Sequence, residues 1–454
     1  MAALLLTTGL AACIPDRPAH DSPSDELALA ALSEGRLPPR GARAEGGGER
    51  IGQLEPGGMM ELSRAALIRQ VIARNPEIEA RRQALRAARS RRVQVSALDD
   101  PELAYALAPL SIGGPTFGQS IQVSQRLPWP GKRSSLGQSA EFEADAASQD
   151  VHVTELDLAL EASLLFDDYF LVDRSLEVNE YHQRLLRELK GIAESQLATG
   201  RASLQDPLQA EVEISRLVEQ DAALRSDREA VVSSMNGLLH RGPSEPLPSP
   251  PMTQSLSLDE PPGEAELLHT ALSERPELRG LLARERAAQF MARWATREYF
   301  PDFTLSAGYS TMFEPDMRFT LGVSAPIPLQ RGRRGGALDE ADARIAGVRA
   351  ESARLIDRIR ADVSVARHRV VQAIRIVKIL ESRTIPATKA QVDAARVDFA
   401  PARTSFLAVV QGERNLRDAQ LARNAAIAEL GRWRARLDRA LGHVPFATTN
   451  QGDR

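Results

Sequence analysis

Two short zones of the chain alternate apolar and polar residues, while most of the remainder repeats at helical spacing. In one zone Phe303, Leu305, Ala307, Tyr309 and Thr311 interleave with Thr304, Ser306, Gly308 and Ser310. Beyond a turn at Glu314-Pro315-Asp316, Phe319, Leu321, Val323 and Ala325 interleave with Thr320, Gly322 and Ser324. A period of two is that of a strand, so the zone predicts a β-hairpin with one apolar face. Leu103, Tyr105 and Leu107, then Ile121, Val123 and Leu127, repeat the pattern around a turn at Gly113-Gly114-Pro115. Strands of about 9 to 10 residues match a tilted crossing of a bilayer's hydrocarbon core. A surface hairpin on a soluble core would show the same alternation.

The two zones belong to a longer repeat. Asn75-Pro76-Glu77-Ile78 answers to Arg275-Pro276-Glu277-Leu278, Pro101 to Pro301 and Pro128 to Pro328, each 200 positions later. Gly200 answers to Pro401, where the spacing has drifted to 201. This predicts a tandem duplication rather than a solenoid of small repeats. The expected organisation is a signal segment over 1–13 and a Pro/Gly-rich tether over 14–60. A first repeat over 61–242 contains the hairpin 101–127. After a proline-rich linker over 243–263, a second repeat over 264–442 contains the hairpin 301–327, and a polar tail covers 443–454.

Helices fill the rest. One is expected from Leu62 to Ala97, broken at Asn75-Pro76, where proline can open a new helix. From Arg133 to Ala198 there is no proline, and about 65 residues of helix make a rod of about 100 Å. Thr199-Gly200-Arg201 reads as its stop, with a return helix from Ser203 to His240. On that helix Leu217, Leu224, Val231 and Leu238 recur every seven residues, beside a second seam of Ile214, Asp221, Arg228 and Met235. The second half predicts helices over Glu264–Arg297, Gly336–Phe399 with a kink at Pro386, and Arg403–Leu441.

The totals narrow the function. Only 4% of the 454 residues are aromatic, and the formal net charge is −4. That composition suits long helices better than a large enzyme core, and no basic footprint points to nucleic acid. No apolar run reaches the length of a transmembrane helix. The seven histidines are scattered and form no HExxH motif, so neither a metal site nor a cofactor is expected. Asp167 and Asp168 are adjacent on a helix and diverge, which argues against joint acid–base work. With no nucleophile–base set, the chain is not read as an enzyme. Arg331-Gly332-Arg333-Arg334 reads either as a basic collar near lipid headgroups or as a solvated helix start. The single cysteine, Cys13, follows Leu10-Ala11-Ala12 and an apolar stretch. It resembles a bacterial lipobox, which makes Cys13 a lipidation candidate; an incidental buried cysteine is the other reading.

Two hairpins supply four strands, too few to close a membrane barrel. An open edge in lipid leaves backbone groups unpaired at several kcal/mol each. If the hairpins enter a membrane, chains must pool strands, and three copies give a 12-stranded barrel. At this point the chain resembles the TolC-like outer-membrane factors of tripartite efflux and type I secretion systems, over about residues 54 to 442. The resemblance rests on the Asn/Arg-Pro-Glu segments, the hairpins, Ala198-Thr199-Gly200-Arg201-Ala202-Ser203-Leu204 with Asp206, and Thr384-Ile385-Pro386-Ala387. Gln125-Arg126-Leu127-Pro128-Trp129-Pro130-Gly131-Lys132 is similar to the subgroup paired with heavy-metal exporters.

The resemblance implies a mainly α fold with a small transmembrane β part. In it a trimeric α-helical barrel is continued by the 12-stranded β-barrel, four strands per chain. It implies an outer-membrane location with a periplasmic extension, and a passive export duct for substrates such as heavy-metal cations or drugs. The implied partners are two further copies, a periplasmic adaptor, an inner-membrane RND-type pump and outer-membrane lipid. A lipid-anchored periplasmic scaffold and a type I secretion duct remain alternatives. Pore-constriction candidates are Asp206, Asp398 and Arg403. Arg403 matches a family gating position, Asp206 occupies the parallel place in the first repeat, and Asp398 stands where the family has tyrosine. The family's acidic positions after the second turn fall at Leu407 and Val410, and its turn glycine is replaced within Ala400-Pro401-Ala402.

Overall fold

The structure, a computed structural model, describes residues 61–108, 118–254, 256–312, 318–399 and 404–446. Cys13, the tether, both hairpin turns, Ala400–Arg403 and the end of the tail lie outside the described residues.

The first half runs α1 (Arg64–Arg74), α2 (Pro76–Ser96), β1 (Glu102–Ala108), β2 (Gly118–Leu127), α3 (Lys132–Ala198) and α4 (Gln205–Leu238). The second runs α5 (Glu264–Glu274), α6 (Pro276–Arg297), β3 (Phe303–Ser310), β4 (Phe319–Ser324), α7 (Arg331–Ile379), α8 (Ile385–Phe399) and α9 (Phe406–Leu441). The breaks before Pro76 and Pro276 have a local cause. Proline suits the first turn of a helix, where its missing N–H has no partner to lose. Asn75 assists by accepting from Glu77 N at 2.9 Å, and Ser63 caps α1 through Ala66 N.

α3 spans 67 residues, about 100 Å of unbroken helix. α7 starts at Arg331, five residues before the expected Gly336. The expected kink at Pro386 takes the form of a π-helical segment, Leu380–Thr384, between α7 and α8. Proline offers no N–H to the carbonyl one turn back and crowds it; the wider π turn moves that carbonyl away.

α3 is the central packing partner: α1, α2, α4, α6 and α9 all lie against it. One apolar cluster joins Leu67, Val71, Ile78, Phe166, Tyr169 and Met235. A second joins Phe170, Leu278, Ile359, Val370, Ile374 and Leu430. The segment between α4 and α5 lies along both clusters. Leu247 is buried in the first, Leu256 and Leu258 pack on the second, and Ser249 O accepts from Leu62 N at 2.9 Å.

A buried ion pair ties these layers. Arg64 donates to both Asp167 oxygens, at 2.5 and 2.7 Å, and to Gln254 Oε1 at 2.9 Å, with its guanidinium over Phe166. Asp168 turns the other way to Arg432, as adjacent helical residues must. Gly431 on α9 lies so close to Asp167 that an added Cβ would overlap the carboxylate. Gly431→Ala should therefore separate α9 from α3 and cost about 1–3 kcal/mol. Thermal unfolding in detergent checks this; an unchanged midpoint would mean that the contact is slack.

Candidate functional site

The four strands form one antiparallel sheet in the order β1-β2-β3-β4. Its register sorts the side chains into two faces. Leu103 lies opposite Val123, Val123 opposite Ala307, and Ala307 opposite Leu321. Tyr105, Ile121, Tyr309 and Phe319 make the next such row. On the other face Ala104, Gln122, Gly308 and Thr320 form one row, and Glu102, Ser124, Ser306 and Gly322 another. The apolar face is bare: Leu321 is 90% exposed, Phe319 84%, Val323 70% and Leu103 65%. β1 and β4 are its edges, each with a strand on one side only.

The described strands have 7, 10, 8 and 6 residues, so three of them fall short of or only approach the expected 9 to 10. β1 ends next to residues outside the described set. β4 stops at Ser324 because Pro326 and Pro328 cannot donate to a ladder.

Where the sheet passes into helix, a compact clasp joins the two halves. Asp302 accepts from Lys132 Nζ at 2.8 Å and Trp129 N at 3.0 Å through one oxygen, and from Arg126 at 2.7 Å through the other. Lys132 also meets Glu298 at 3.0 Å, and Trp129 stacks on Phe300 with ring centroids 5.0 Å apart. Arg334 reaches back to Glu298 O at 2.7 Å, while Arg331 and Arg333 are exposed.

At the far end of the helices lie the expected constriction residues. Gly200 takes φ +71° in the first turn, a left-handed conformation that glycine adopts without strain. Asp206 sits in the first turn of α4, where its carboxylate accepts from Ser203 N at 3.2 Å. Asp398 is exposed in the last turn of α8, and its carbonyl accepts from Thr404 N at 3.3 Å across the second turn. Within the described chain neither carboxylate meets a basic side chain, and Arg403 lies outside the described residues.

Buried charged contacts lie further up, beyond an apolar cluster of Leu186, Leu189, Leu217, Phe406, Val409 and Val410. Glu213 on α4 is buried and accepts from Arg414 of α9 at 2.7 Å and Arg216 at 2.8 Å. Glu413 on α9 is buried and accepts from Arg396 of α8 at 2.9 Å. His182 on α3 is buried too, with Nε2 3.1 Å from Gln420 Oε1. Its Nδ1 stands 3.7 Å from Glu413, too far for a hydrogen bond. Sequence reading passed over this group. The available signal was Glu413, a charge at an apolar position of the Phe406, Val409, Val410, Leu416 stripe.

Burial pushes the Glu413 carboxyl above its ordinary 4.5, against the pull of Arg396. Burial also lowers the His182 imidazole below 6.5; the Gln420 hydrogen bond opposes this, while Arg417 and Arg396 add to it and Asp418 opposes. Among the described residues no group of three His, Cys, Asp or Glu could hold a metal ion. No described helix is long and apolar enough to cross a membrane.

Residues 267–443 match the outer membrane efflux protein family model. The fold is similar to that of CusC, studied for conformational changes in folding and transmembrane channel formation. That match has a TM-score of 0.73 and 18% identity, covering 85% of this chain and 93% of that one. It is also similar to the outer-membrane channel OprN, with a TM-score of 0.69, 20% identity and coverage of 84% and 89%. The outer membrane protein VceC of Vibrio cholerae matches with a TM-score of 0.69, 17% identity and coverage of 84% and 96%. No curated protein sequence matches. The resemblance to TolC-like outer-membrane factors holds, in the sequence of the second half and in the fold of the chain.

The buried pair at the tip gives a signed pH dependence. A lowered histidine contributes stability that is complete above 6.5 and is lost as pH falls through its native value. A raised glutamate contributes stability present below 4.5 and lost as pH rises through its native value. The two oppose each other on acidification. His182→Gln should reduce the fall in thermal midpoint between neutral pH and about pH 5. Glu413→Gln should steepen that fall by removing the opposing contribution. An identical midpoint-against-pH curve in both variants would show that neither group titrates in the fold.

Proposed function

We propose that this chain is one of three that together form an outer-membrane duct, the passive exit channel of a tripartite efflux pump. The observation that carries the reading is the sheet: a bare apolar face, a polar face and two unpaired edges, joined to helices of about 100 Å. Three copies give a closed 12-stranded barrel with Leu305, Tyr309, Leu321 and Val323 toward lipid and Thr304 and Ser306 toward the lumen. The long helices continue it as a tube through the periplasm, made of two tandem repeats per chain, 61–242 and 264–442. A periplasmic adaptor docks at the tip and an inner-membrane RND-type pump supplies the energy. Heavy-metal cations are the substrate class toward which the Gln125–Lys132 segment points. Cys13, once acylated, adds an anchor, and the barrel attaches the protein independently of it.

Asp206, Asp398 and Arg403 remain the proposed constriction. Asp206 already serves the α4 cap, so Asp398 and Arg403 beside the second turn carry more of the gate. Partly solvated pairs contribute about 0.2–1 kcal/mol each, small enough for adaptor docking to override. Arg403→Ala should raise the conductance of purified protein in planar bilayers, more so at low salt. Unchanged conductance in Arg403→Ala, Asp206→Ala and Asp398→Ala would remove all three from the gate.

The duct itself is tested by position. Arg in place of Leu321 should impair assembly by about 2–4 kcal/mol at mid-bilayer, while Arg in place of Thr304 should be milder. Cys13→Ser protein should still need detergent for extraction. Release of that variant by salt or carbonate, or equal tolerance of arginine at 321 and 304, would favour a lipid-anchored scaffold.

A further inference from the structure

The odd-numbered positions from Phe319 onward hold one pattern past the end of the sheet. Phe319, Leu321 and Val323 belong to the bare face of β4, and Ala325, Ile327 and Leu329 continue the row beyond the last ladder pair. Arg331 and Arg333 take its next two places. Resting on the duct reading above, we infer that Ile327 and Leu329 complete the lipid-facing band. Arg331 and Arg333 beside them form a collar that selects anionic phospholipid headgroups in the leaflet on the helix side.

The backbone keeps the alternation after the ladder ends. Leu329 N donates to Ile327 O at 2.9 Å, and Arg331 N donates to Leu329 O at 3.0 Å. Gln330, at the centre of the second of these turns, has φ −82° and ψ 78°. They are successive inverse γ-turns, each closed over residues i and i+2. Ile327, Leu329 and Arg331 therefore stay on one side. Pro326 and Pro328 carry no N–H, and the N–H groups of Leu329 and Arg331 are bonded within the segment. Such a segment lies against lipid at a smaller cost than an open strand, whose donors would go unpaired.

The row also has the length that β4 lacks. β4 itself has 6 residues, too few to cross the apolar band. Phe319 to Leu329 is ten residue steps. That is about 33 Å of extended chain, and about 25 Å along the membrane normal at a barrel's tilt, the height of such a band. Ile327 is 78% exposed and Leu329 81% exposed, bare apolar side chains outside any sheet. A hydrocarbon layer accounts for both.

The charge changes where the row ends. In the first half the cations at this rim are used internally. Lys132 is buried against Asp302 and Glu298, and Arg133 donates to Ser96 O at 2.9 Å. Arg334 turns inward to Glu298 O. Gly332 stands one repeat after Lys132, with Arg331 and Arg333 on either side of it. Both arginines are exposed, and among the described residues neither meets a carboxylate. The first turn of α7 holds no acidic residue to neutralise them. Trp129, one repeat before Leu329, stacks on Phe300, as aromatic residues do between hydrocarbon and headgroups. Three chains set a ring of these guanidinium groups around the duct. Guanidinium meets phosphate through two parallel hydrogen bonds. A net anionic headgroup presents that phosphate without the internal ammonium that a zwitterionic one carries.

The test takes full-length protein, delipidated in mild detergent, and titrates it with phosphatidylglycerol or phosphatidylcholine, counting bound lipid by native mass spectrometry. The wild-type trimer should bind phosphatidylglycerol about fivefold more tightly or better, the factor that one basic residue near an anionic surface supplies. Arg331→Gln with Arg333→Gln should make the two lipids nearly equal, and Arg331→Lys with Arg333→Lys should keep most of the preference. Arg354→Gln, at an exposed position about 30 Å further along α7, should change nothing. Equal binding of both lipids by wild-type trimers overturns the collar and leaves the duct reading standing. An undiminished preference in the double glutamine variant, or an equal loss in Arg354→Gln, overturns it too. Loss of trimers in the double glutamine variant, with the preference of each chain unchanged, assigns the two arginines to contact between copies instead. A wild-type chain that stays monomeric and binds neither lipid contradicts the duct reading, and the collar with it.

Discussion

The unpaired backbone at the two edges of the sheet is the constraint on which the rest depends. β1 and β4 each expose one row of N–H and C=O groups, and the same sheet exposes a continuous apolar face. In water the face is the liability, and in lipid the edges are, because each unpaired backbone group costs several kcal/mol there. A single four-stranded sheet cannot satisfy both. Closure with further copies satisfies both at once: edges pair with edges, and the apolar rows become one band around a polar interior. The polar rows of Gln122, Thr320, Ser124 and Ser306 are then the lumen wall.

The helical part is built on a different balance. Around the middle of the rods, two large apolar clusters and the Arg64–Asp167 pair lock α3 against its neighbours. Toward the turns at Gly200 and Pro401 the apolar cluster is smaller, and buried carboxylates join the helices, Glu213 to Arg414 between hairpins and Glu413 to Arg396 within the second. Removing one partner of a buried pair is costly, because it leaves the other charge uncompensated. Fewer buried apolar contacts and more ion pairs make the tip locally less stable than the middle of the rods.

Much of this was legible in the residues. The alternation of Phe303 to Thr311 and Phe319 to Ala325 gave the strands and their faces, and the Pro76 and Pro276 breaks gave the paired helices. The π segment before Pro386 was not legible, because a proline in a long helix can be met by a kink or by a wider turn. Nor was the pairing of β2 with β3, which depends on Asp302 gathering Lys132, Trp129 and Arg126 from a segment more than a hundred and fifty residues away in sequence. Local periodicity carries no record of such a contact. The tip shows the same limit. The charges beside the turns were easy to name, but Asp206 is engaged in its own helix start. The buried ion pairs fall instead to Glu213, which meets Arg414 of the other hairpin, and Glu413, which meets Arg396 of its own; both sit among apolar positions and look like solvated charges until the helices are packed.

The central claim is that the sheet is completed by further copies of the same chain. Native mass spectrometry of the full-length protein, extracted in mild detergent, counts those copies directly. The account predicts a single dominant assembly of three chains that persists on dilution. A monomer retaining its fold, or a spread of open-ended oligomers, would contradict it.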